Sequence, residues 1–374
     1  MKNIALAGAA SLLPTPMFSA GATAADNASA RKRIQAFCID FNWTGGKFAK
    51  PGHWADASPQ EHIQWYKDLG CNAAHSFCVS CNGYAWYRSG FAPEQPGLRH
   101  DFLTEMVRLG HKANMEVFGY FCIGANSLWG QTHPEESYGA PTHPHIPLTN
   151  RYLDYLCNSV EDALRRAGPD GLHLDWLWNP QFLGAGKPLC KWLKCEREMY
   201  KELMNENFPD AEKVLPEQFA LFRKRAINRC WERLYERVRS VSKKCILWLT
   251  CNNLAGTDIQ GAPFFRQLDQ LLGEDGGIAA LKKSAKQVGK QTRLLTCLAA
   301  WNGRDPVKTV NEVLSSEIDI GLYGFAAPTR GDLCPPVRGY LEKPISVFRG
   351  NDRNIATYAR AFNGLSLDYI AKPA

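Results

Sequence analysis

The chain has 374 residues, of which 45% are hydrophobic and 22% are charged. This composition is typical of a folded globular protein with a large core, and it excludes a disordered chain. The formal net charge is +7, but lysine and arginine are spread along the chain. The densest run, residues 222–244, has apolar residues at helical spacing, so its charges indicate a solvated helix face, and no nucleic-acid partner is expected.

The N-terminus has the pattern of an export signal. Residues 1–30 combine an early lysine, an apolar run over residues 4–13 and small-residue cleavage sites at 22–24 and 28–30. The segment resembles the rear half of a bacterial twin-arginine signal, without the arginine pair. Its apolar run is too short to cross a bilayer, and no later segment reaches 18 uninterrupted apolar residues. We therefore expect a periplasmic or secreted protein without a membrane span, with residues 31–374 forming one domain.

Short apolar segments alternate with amphipathic helices from residue 35 onward. The predicted strands cover residues 35–43, 71–83, 116–126, 171–180, 245–253, 268–276, 292–303 and 318–328. The first predicted helix begins at Pro59, after an N-cap at Ser58, and stops at Gly70. The other predicted helices cover residues 100–115, 149–168, 222–244, 278–289, 305–316 and about 351–363. Residues 127–148 are predicted to form a loop, and residues 180–218 an insertion with little strand pattern.

Eight strands that alternate with helices favour parallel pairing. The sequence therefore predicts an α/β fold, a (β/α)8 TIM barrel, as a single catalytic domain with an insertion after strand four and C-terminal helices. An open doubly wound sheet is the alternative fold. Its dinucleotide fingerprint is missing, because the glycines of residues 41–52 have the wrong spacing.

Reactive groups in such barrels lie at the carboxyl ends of the strands, around one mouth. Polar and aromatic residues collect at these positions in this sequence. They are Asp40, Asn42 and Trp43 on strand one, His75, Asn82, Tyr84 and Trp86 on strand two, Asp175, Trp176 and Trp178 on strand four, Asn252 and Asn253 on strand five, Glu274 and Asp275 on strand six, Trp301 and Asn302 on strand seven, and Tyr323 on strand eight. Aromatic rings beside carboxylates and amides suit a pyranose, so we predict a carbohydrate substrate and no cofactor.

Cleavage of a glycosidic bond needs two carboxyl groups. Asp175 ends a central apolar strand where its position would be rigid, so it is the predicted nucleophile; the alternative is an N-cap or a salt bridge. Glu274 is the first choice as proton donor, because its longer side chain can reach over a sugar, and Asp275 is the second. Both acids could instead form the N-cap of the following helix.

Several other positions have two interpretations. Asp40 could bind a substrate hydroxyl or an arginine at the barrel end. His75 is expected to pack within the barrel, although it could also shape a subsite. The predicted carbohydrate contacts are Asp40, Trp43, His75, Tyr84, Trp86, Trp176, Trp178, Asn252, Trp301 and Asn302. Any single tryptophan is more often a core or loop packing residue, so the prediction depends on the cluster.

Two motifs suggest metal chemistry without completing a site. Cys78 and Cys81 form a C-x-x-C, but the second pair that structural zinc needs is absent. The 13 cysteines fall singly within predicted elements, so buried free thiols are expected. His133, His143 and His145 lie in a proline-rich loop without a regular scaffold, and we expect this loop to close over the mouth. No metal site is predicted.

The segments FLTEMVRLGHKANMEVFGYF and GPDGLHLDWLWNP (residues 102–121 and 168–180) resemble barrel glycoside hydrolases, in which one strand ends in G-Y-F and the next in D-x-W. The resemblance is to the α-L-fucosidase-like and α-galactosidase-like barrels and to related glycosyl hydrolase families. In those families the acid that ends strand four is the nucleophile of a retaining reaction, which implies this role for Asp175, and the donor often comes from strand six, which implies Glu274 or Asp275. Only about 45 residues follow residue 330, so no separate C-terminal β-sandwich is expected in this segment, and the substrate of those families is not carried over.

The sequence thus predicts an exported glycosidase that removes a terminal sugar from a glycoside or oligosaccharide. The alternative is a barrel that binds carbohydrate but has lost its catalytic acid. An aldolase or isomerase that uses a phosphate is disfavoured, because strands seven and eight lack a glycine-rich phosphate cradle. The sequence leaves the sugar, its anomer and the oligomeric state open.

Overall fold

The computed structural model describes residues 33–44, 47–177, 191–251, 254–274, 277–298, 303–326 and 336–367. Eight parallel strands close into a barrel, which confirms the predicted (β/α)8 fold. The strands are β1 (Gln35–Ile39), β2 (Ala73–Val79), β3 (Glu116–Cys122), β4 (Gly171–Asp175), β5 (Ile246–Thr250), β6 (Gln270–Gly273), β7 (Arg293–Leu298) and β8 (Ile320–Ala326). The predicted signal, residues 1–30, lies outside the described residues.

The first and last strands pair to close the barrel. In the parallel register, Gln35 is opposite Leu322 and Ile39 is opposite Ala326. The other edge of β1 pairs with β2. All eight predicted strands are present, including the four-residue β6. The first predicted strand was too long: β1 ends at Ile39, and Trp43 starts a two-residue strand that forms an antiparallel hairpin with Lys47–Phe48.

Helices cover the outside of the barrel. They are α1 (Pro59–Leu69), α2 (Phe102–Lys112), α3 (Ser127–Thr132), α4 (Asn150–Arg166), α5 (Lys194–Met204), α6 (Pro216–Val241), α7 (Ile278–Ser284), α8 (Pro306–Leu314), α9 (Val337–Glu342) and α10 (Gly350–Phe362). The predicted signals of α1 are confirmed: the Ser58 side chain accepts a hydrogen bond from the Glu61 N–H, and Gly70 ends the helix in the left-handed conformation. None of the described helices is long and apolar enough to span a membrane.

Several predicted element boundaries were wrong, including the start of α6, which is Pro216 and not residue 222. The loop predicted over residues 127–148 begins with α3, because the Asn126 side chain caps the N–H of Trp129. The helix predicted over residues 278–289 ends at Ser284. The part of the insertion that is described, residues 191–218, contains α5 and a small second core around Trp192 and Tyr200.

The basic run of the sequence lies on α6, and it is less solvated than predicted. Trp231, Leu234 and Val238 face the core, as the spacing indicated. The arginines of the other face pair with acids of neighbouring helices: Arg237 with Glu161 of α4 at 2.5 Å, and Arg229 with Glu202 of α5 at 2.9 Å. Much of the positive charge of α6 is therefore paired with acidic side chains, and these ion pairs link α6 to α4 and α5.

The cysteines in the described part of the chain are free thiols, as expected, and only Cys195 and Cys251 are not fully buried. The two cysteines of the C-x-x-C face different surroundings. A Cβ added to Gly119 would meet the Cys78 Sγ, whereas the Cys81 Sγ accepts a hydrogen bond from Asn42. The described residues contain no cluster of three or more His, Cys, Asp or Glu side chains suited to a metal.

Barrel closure generates a stability prediction at Gly324 of β8. A Cβ at this position would lie 2.2 Å from the Phe37 ring of β1, so Gly324→Ala is expected to lower the free energy of unfolding by about 1–3 kcal/mol. Gly339 in α9 has no atom within 4 Å of an added Cβ, and Gly339→Ala should raise stability by about 0.5–1 kcal/mol. Urea unfolding of both variants checks the opposite signs; equal effects would contradict the close packing of β8 against β1.

Candidate active site

Alternate side chains of the strands point into the barrel and line a cavity at its carboxyl-terminal mouth. Because strand side chains alternate with a period of two, Cys38 and Asp40 of the first strand segment face inward together, as do His173 and Asp175 of β4. The cavity has a volume of about 360 Å³. Its lining residues are Cys38, Asp40, Trp43, His75, Phe77, Tyr120, His173, Asp175, Trp176, Glu274, Tyr323 and Phe325.

Asp175 is the last residue of β4, and its carboxyl group lies in this cavity. Its Oδ2 accepts a hydrogen bond from the Tyr120 hydroxyl at 2.9 Å, and its Oδ1 accepts one from the Trp176 backbone N–H at 2.8 Å. The salt bridge weighed as an alternative is not present among the described residues. Burial raises the pKa of Asp175 to about 6, while hydrogen bonds from Tyr120 and Trp176 oppose that rise. The carboxyl group is therefore rigid and mostly ionised at neutral pH.

The backbone turns sharply directly after Asp175. Trp176 has a φ of 60°, in the left-handed region that a bulky side chain rarely adopts. This conformation costs of the order of 1 kcal/mol and is maintained only by surrounding contacts. It directs the Trp176 N–H back at the Asp175 carboxylate and places the indole on the cavity wall. The strain is thus located at the residue that joins the acid to the aromatic wall.

Glu274 follows β6 and also lines the cavity. The N-cap residue of α7 is Gly277, three residues after Glu274. Burial raises the pKa of Glu274 to about 8, and the negative charges of Asp175 and Asp40 add to the rise. Glu274 is therefore mostly protonated at neutral pH, which is the state that a proton donor requires.

Asp40 supplies a third carboxyl group. Its Oδ1 accepts a hydrogen bond from the Asn42 N–H at 2.7 Å, and the arginine weighed as its partner is not among its contacts in the described residues. Burial raises the pKa of Asp40 to about 7, with the Asn42 bond opposing and the Asp175 charge adding to the rise. Burial thus raises the pKa of all three carboxyl groups that line the cavity.

Aromatic rings form one wall of the mouth. The Trp176 ring lies 5.5 Å from Phe48 and 6.3 Å from Trp43, both of the hairpin that follows β1. The His145 ring lies 5.1 Å from the Trp176 ring. His145 is fixed there by a β-bridge to Ala125, which brings part of the proline- and histidine-bearing loop to the mouth.

Two imidazoles form the floor of the cavity. The His75 Nε2 lies 2.7 Å from the His173 Nδ1, and the His173 Nε2 lies 2.6 Å from the Thr250 hydroxyl. Burial lowers the pKa of His75 to about 3 and that of His173 well below its usual value, so both rings are neutral. The His173 ring stacks on Trp248 at 4.4 Å. The floor is therefore rigid and uncharged beneath three carboxyls.

Some predicted contacts lie elsewhere. Trp86 is only 1% exposed and packs on Phe41 at 4.3 Å, and half-buried Tyr84 does not line the cavity. These two residues follow β2 in a loop that turns back onto the helices, so the position of a residue after a strand does not by itself bring it to the mouth. The predicted residues Trp178, Asn252, Asn253, Asp275, Trp301 and Asn302 lie outside the described residues.

Sequence reasoning missed other lining residues, among them Cys38, Phe77, Tyr120 and His173. The alternation of strand side chains could have found two of them, since Cys38 and His173 each precede a predicted inward-facing acid by two residues. Tyr120 had no such signal. Its role depends on the pairing of Cys122 with Asp175 in the register of β3 and β4, which the sequence does not give.

The fold was compared with known proteins. No protein-family model and no curated protein matches the chain. The structure is similar to α-L-fucosidase isoenzyme 2 from Paenibacillus thiaminolyticus, with a TM-score of 0.61, 13% identity, and coverage of 88% of this chain and 49% of that one. It is also similar to the PgaB (BpsB) glycoside hydrolase domain from Bordetella bronchiseptica, with a TM-score of 0.55, 12% identity and coverage of 79% and 93%.

A third similar structure is β-galactosidase from Bacillus circulans sp. alkalophilus, with a TM-score of 0.56, 9% identity and coverage of 90% of this chain and 56% of that one. The chain thus spans about half the length of the fucosidase and galactosidase chains. At these identities the similarity shows the fold. The resemblance to glycoside hydrolase barrels that the sequence suggested is confirmed at that level.

The raised pKa of Glu274 generates a prediction about stability and pH. The folded protein holds this proton up to about pH 8, whereas the unfolded chain releases it near the ordinary value of 4.5. The unfolded state therefore binds fewer protons between these values, and stability falls as the pH rises. Glu274→Gln should raise the free energy of unfolding at pH 8 by roughly 1–4 kcal/mol and have little effect at pH 4. Urea unfolding at both pH values checks this, and a gain of the same size at pH 4 would contradict the assignment.

Proposed function

We propose that the protein is a retaining glycoside hydrolase that removes a terminal sugar from a glycoside or oligosaccharide. The observation that carries the proposal is the asymmetry of two acids in one cavity: Asp175 is held by hydrogen bonds that favour its ionised form, and Glu274 is held in surroundings that favour its protonated form. Two carboxyl groups whose environments separate their pKa values are the arrangement that glycoside cleavage needs.

In the first step, an Asp175 oxygen attacks the anomeric carbon as the glycosidic bond breaks. Glu274 gives its proton to the departing oxygen, so the leaving group departs as a neutral alcohol. In the second step, the ionised Glu274 takes a proton from water, whose oxygen displaces Asp175 from the sugar. Glu274 is then protonated and Asp175 ionised again, which restores the starting state. Retention is supported by the rigid position of Asp175 and by the resemblance of its strand to retaining families.

The size and walls of the cavity support a single terminal sugar. A volume of about 360 Å³ lies at the lower end of the range for small-molecule sites. The Trp43 and Trp176 rings offer apolar faces for the C–H side of a pyranose, and Asp40 offers a hydrogen-bond acceptor. Action outside the cytoplasm, as the N-terminal pattern predicts, belongs to the same proposal, because free glycosides and oligosaccharides are encountered there.

The two acids should be separable by kinetics. The pH profile of kcat/KM should be bell-shaped, with an acid limb near 6 from Asp175 and a basic limb near 8 from Glu274. Asp175→Asn should lower turnover by about 10³-fold or more for every substrate. In Glu274→Gln the basic limb of the profile should disappear. Hydrolysis of substrates with a sugar leaving group should slow by about 10²–10⁴-fold. Dinitrophenyl glycosides should slow much less, because their leaving group departs without being protonated.

A panel of aryl glycosides and NMR of the first-formed sugar anomer measure these effects and the stereochemistry. Asp319→Asn is the matched control, because Asp319 is an exposed carboxyl just before β8. Initial formation of the inverted anomer would contradict the nucleophile role. If calorimetry shows that sugars bind but no glycoside is cleaved, the protein is instead a carbohydrate-binding barrel.

The charges of the cavity predict the class of sugar. Three carboxyls line it, and none of the described lining residues is a lysine or arginine. A substrate with its own carboxylate would be repelled, so the protein should cleave a neutral hexoside with a kcat/KM about 10-fold or more above that of the matching uronide. Asp40→Asn should reduce the ratio of kcat/KM for the hexoside to kcat/KM for the uronide. Matched glucoside–glucuronide and galactoside–galacturonide pairs test the prediction; faster cleavage of the uronides would exclude it.

A further inference from the structure

A chain of hydrogen bonds connects Asp40 to Asp175 through Asn42 and Cys81, which do not line the cavity, and Tyr120, which does. The Asn42 side chain makes two hydrogen bonds to Cys81. Its Oδ1 accepts one from the Cys81 backbone N–H at 2.9 Å, and its Nδ2 donates one to the Cys81 Sγ at 2.8 Å. The Cys81 Sγ lies 3.8 Å from the Tyr120 hydroxyl, which donates to Asp175 at 2.9 Å. At the other end, the Asn42 N–H donates to Asp40 at 2.7 Å.

From the Asn42 amide onward, the side-chain donors of this chain point toward Asp175. The single hydroxyl proton of Tyr120 goes to the Asp175 carboxylate, so in the contact with Tyr120 only the Cys81 thiol can donate. The Cys122 thiol also hydrogen-bonds to Cys81. Asn42 in turn donates to Cys81. Three successive donor groups are thus aligned toward the charge on Asp175. Hydrogen bonds aligned in this way polarise and strengthen one another in a medium of low dielectric constant.

The chain is shielded from water. Cys81 is 0% exposed, Asn42 2% and Tyr120 7%. If the thiol were removed, the Asn42 amide and the Tyr120 hydroxyl would lose a partner that no solvent could replace. The Tyr120 hydroxyl would then be less well fixed against Asp175, although neither Asn42 nor Cys81 lines the cavity.

We propose that Cys81 is a positioning residue for Asp175: together with Asn42 it fixes the Tyr120 hydroxyl against the carboxylate. This inference rests on the proposed function, in which Asp175 is the nucleophile. It also explains the C-x-x-C of the sequence without metal or redox chemistry. The strand register shifts between Phe77 and Val79, and Cys78 lies against Gly119, apart from the hydrogen-bonded chain.

The pKa of Asp175 is a measure of how well the Tyr120 hydroxyl is held against its carboxylate. The titratable groups that face it are Asp40, Glu274, Tyr120, Cys122 and Cys297. Burial raises the pKa of the phenol and of these two thiols well above their usual values, so only the carboxyls titrate near neutral pH. The imidazoles of the floor are neutral. A weaker hydrogen bond to the ionised form of Asp175 therefore moves its titration to higher pH.

The test compares Cys81→Ala, Cys81→Ser and the matched control Cys78→Ala. Cys78 is also 0% exposed and lies in the same segment, so both alanine variants lose a buried sulfur of the same size. In Cys81→Ala we expect the acid limb of the kcat/KM profile to move up by about 0.5 pH unit or more and kcat to fall about 3- to 10-fold, with KM changed less than about 2-fold. Cys81→Ser should restore the profile, since a hydroxyl can accept and donate in the same way.

A double-mutant cycle tests the route through Tyr120. If Cys81 acts through that hydroxyl, Cys81→Ala should have little further effect on the acid limb in a Tyr120→Phe background. Additive shifts would overturn the proposal. So would a Cys78→Ala profile that moves as far as that of Cys81→Ala, because the effect would then reflect lost packing. If Cys81→Ala does not fold, the cycle is run with Cys81→Val, which fills the space without a donor.

A measurement without substrate separates this inference from the proposed function. Carboxyl ¹³C NMR of aspartate-labelled protein, with Asp175→Asn to assign the signal, gives the Asp175 titration directly. The same upward shift in Cys81→Ala supports the positioning role even if no glycoside is cleaved, in which case the proposed function alone fails. An unshifted Asp175 signal overturns the positioning role, whatever the activity.

Discussion

In a closed parallel barrel, alternate side chains of every strand must point into the barrel interior. Once β1 pairs with β8, every second residue of each strand points into one enclosed space. Asp40, Asp175 and Glu274 come from separate strands, yet closure brings them to the same cavity and removes water from around them. The loss of water is the largest cause of each raised pKa. The chemistry of the site therefore follows from the closure of the barrel.

Burial raises the pKa of all three carboxyl groups, and hydrogen bonds oppose this rise at Asp175 and Asp40. Asp175 receives such bonds from Tyr120 and Trp176, and its negative charge adds to the rise at Asp40 and Glu274. This arrangement destabilises the fold at high pH, and the left-handed backbone of Trp176 adds strain.

The sequence predicted the fold well, because the strands are continuous apolar segments and the helix ends carry strong signals such as Ser58 and Gly70. Within the site, it identified the acids that directly end or follow strands, since alternation determines where they point. It failed for Trp86, which loop packing turns into the core, and for Tyr120, whose contact with Asp175 depends on strand register. It also missed Cys81, because its partner Asn42 is 39 residues away in the chain.

Barrels of this architecture share their strands more closely than their loops, so differences in substrate should arise at the rim. In this protein the rim is built by two local elements. The hairpin after β1 supplies Trp43 and Phe48, and the loop after β3 brings His145 into contact with Trp176. The Trp176 indole, which follows Asp175 in the chain, thus contacts side chains from the segments after two other strands. The shape of the cavity mouth beside Asp175 therefore depends on these aromatic contacts.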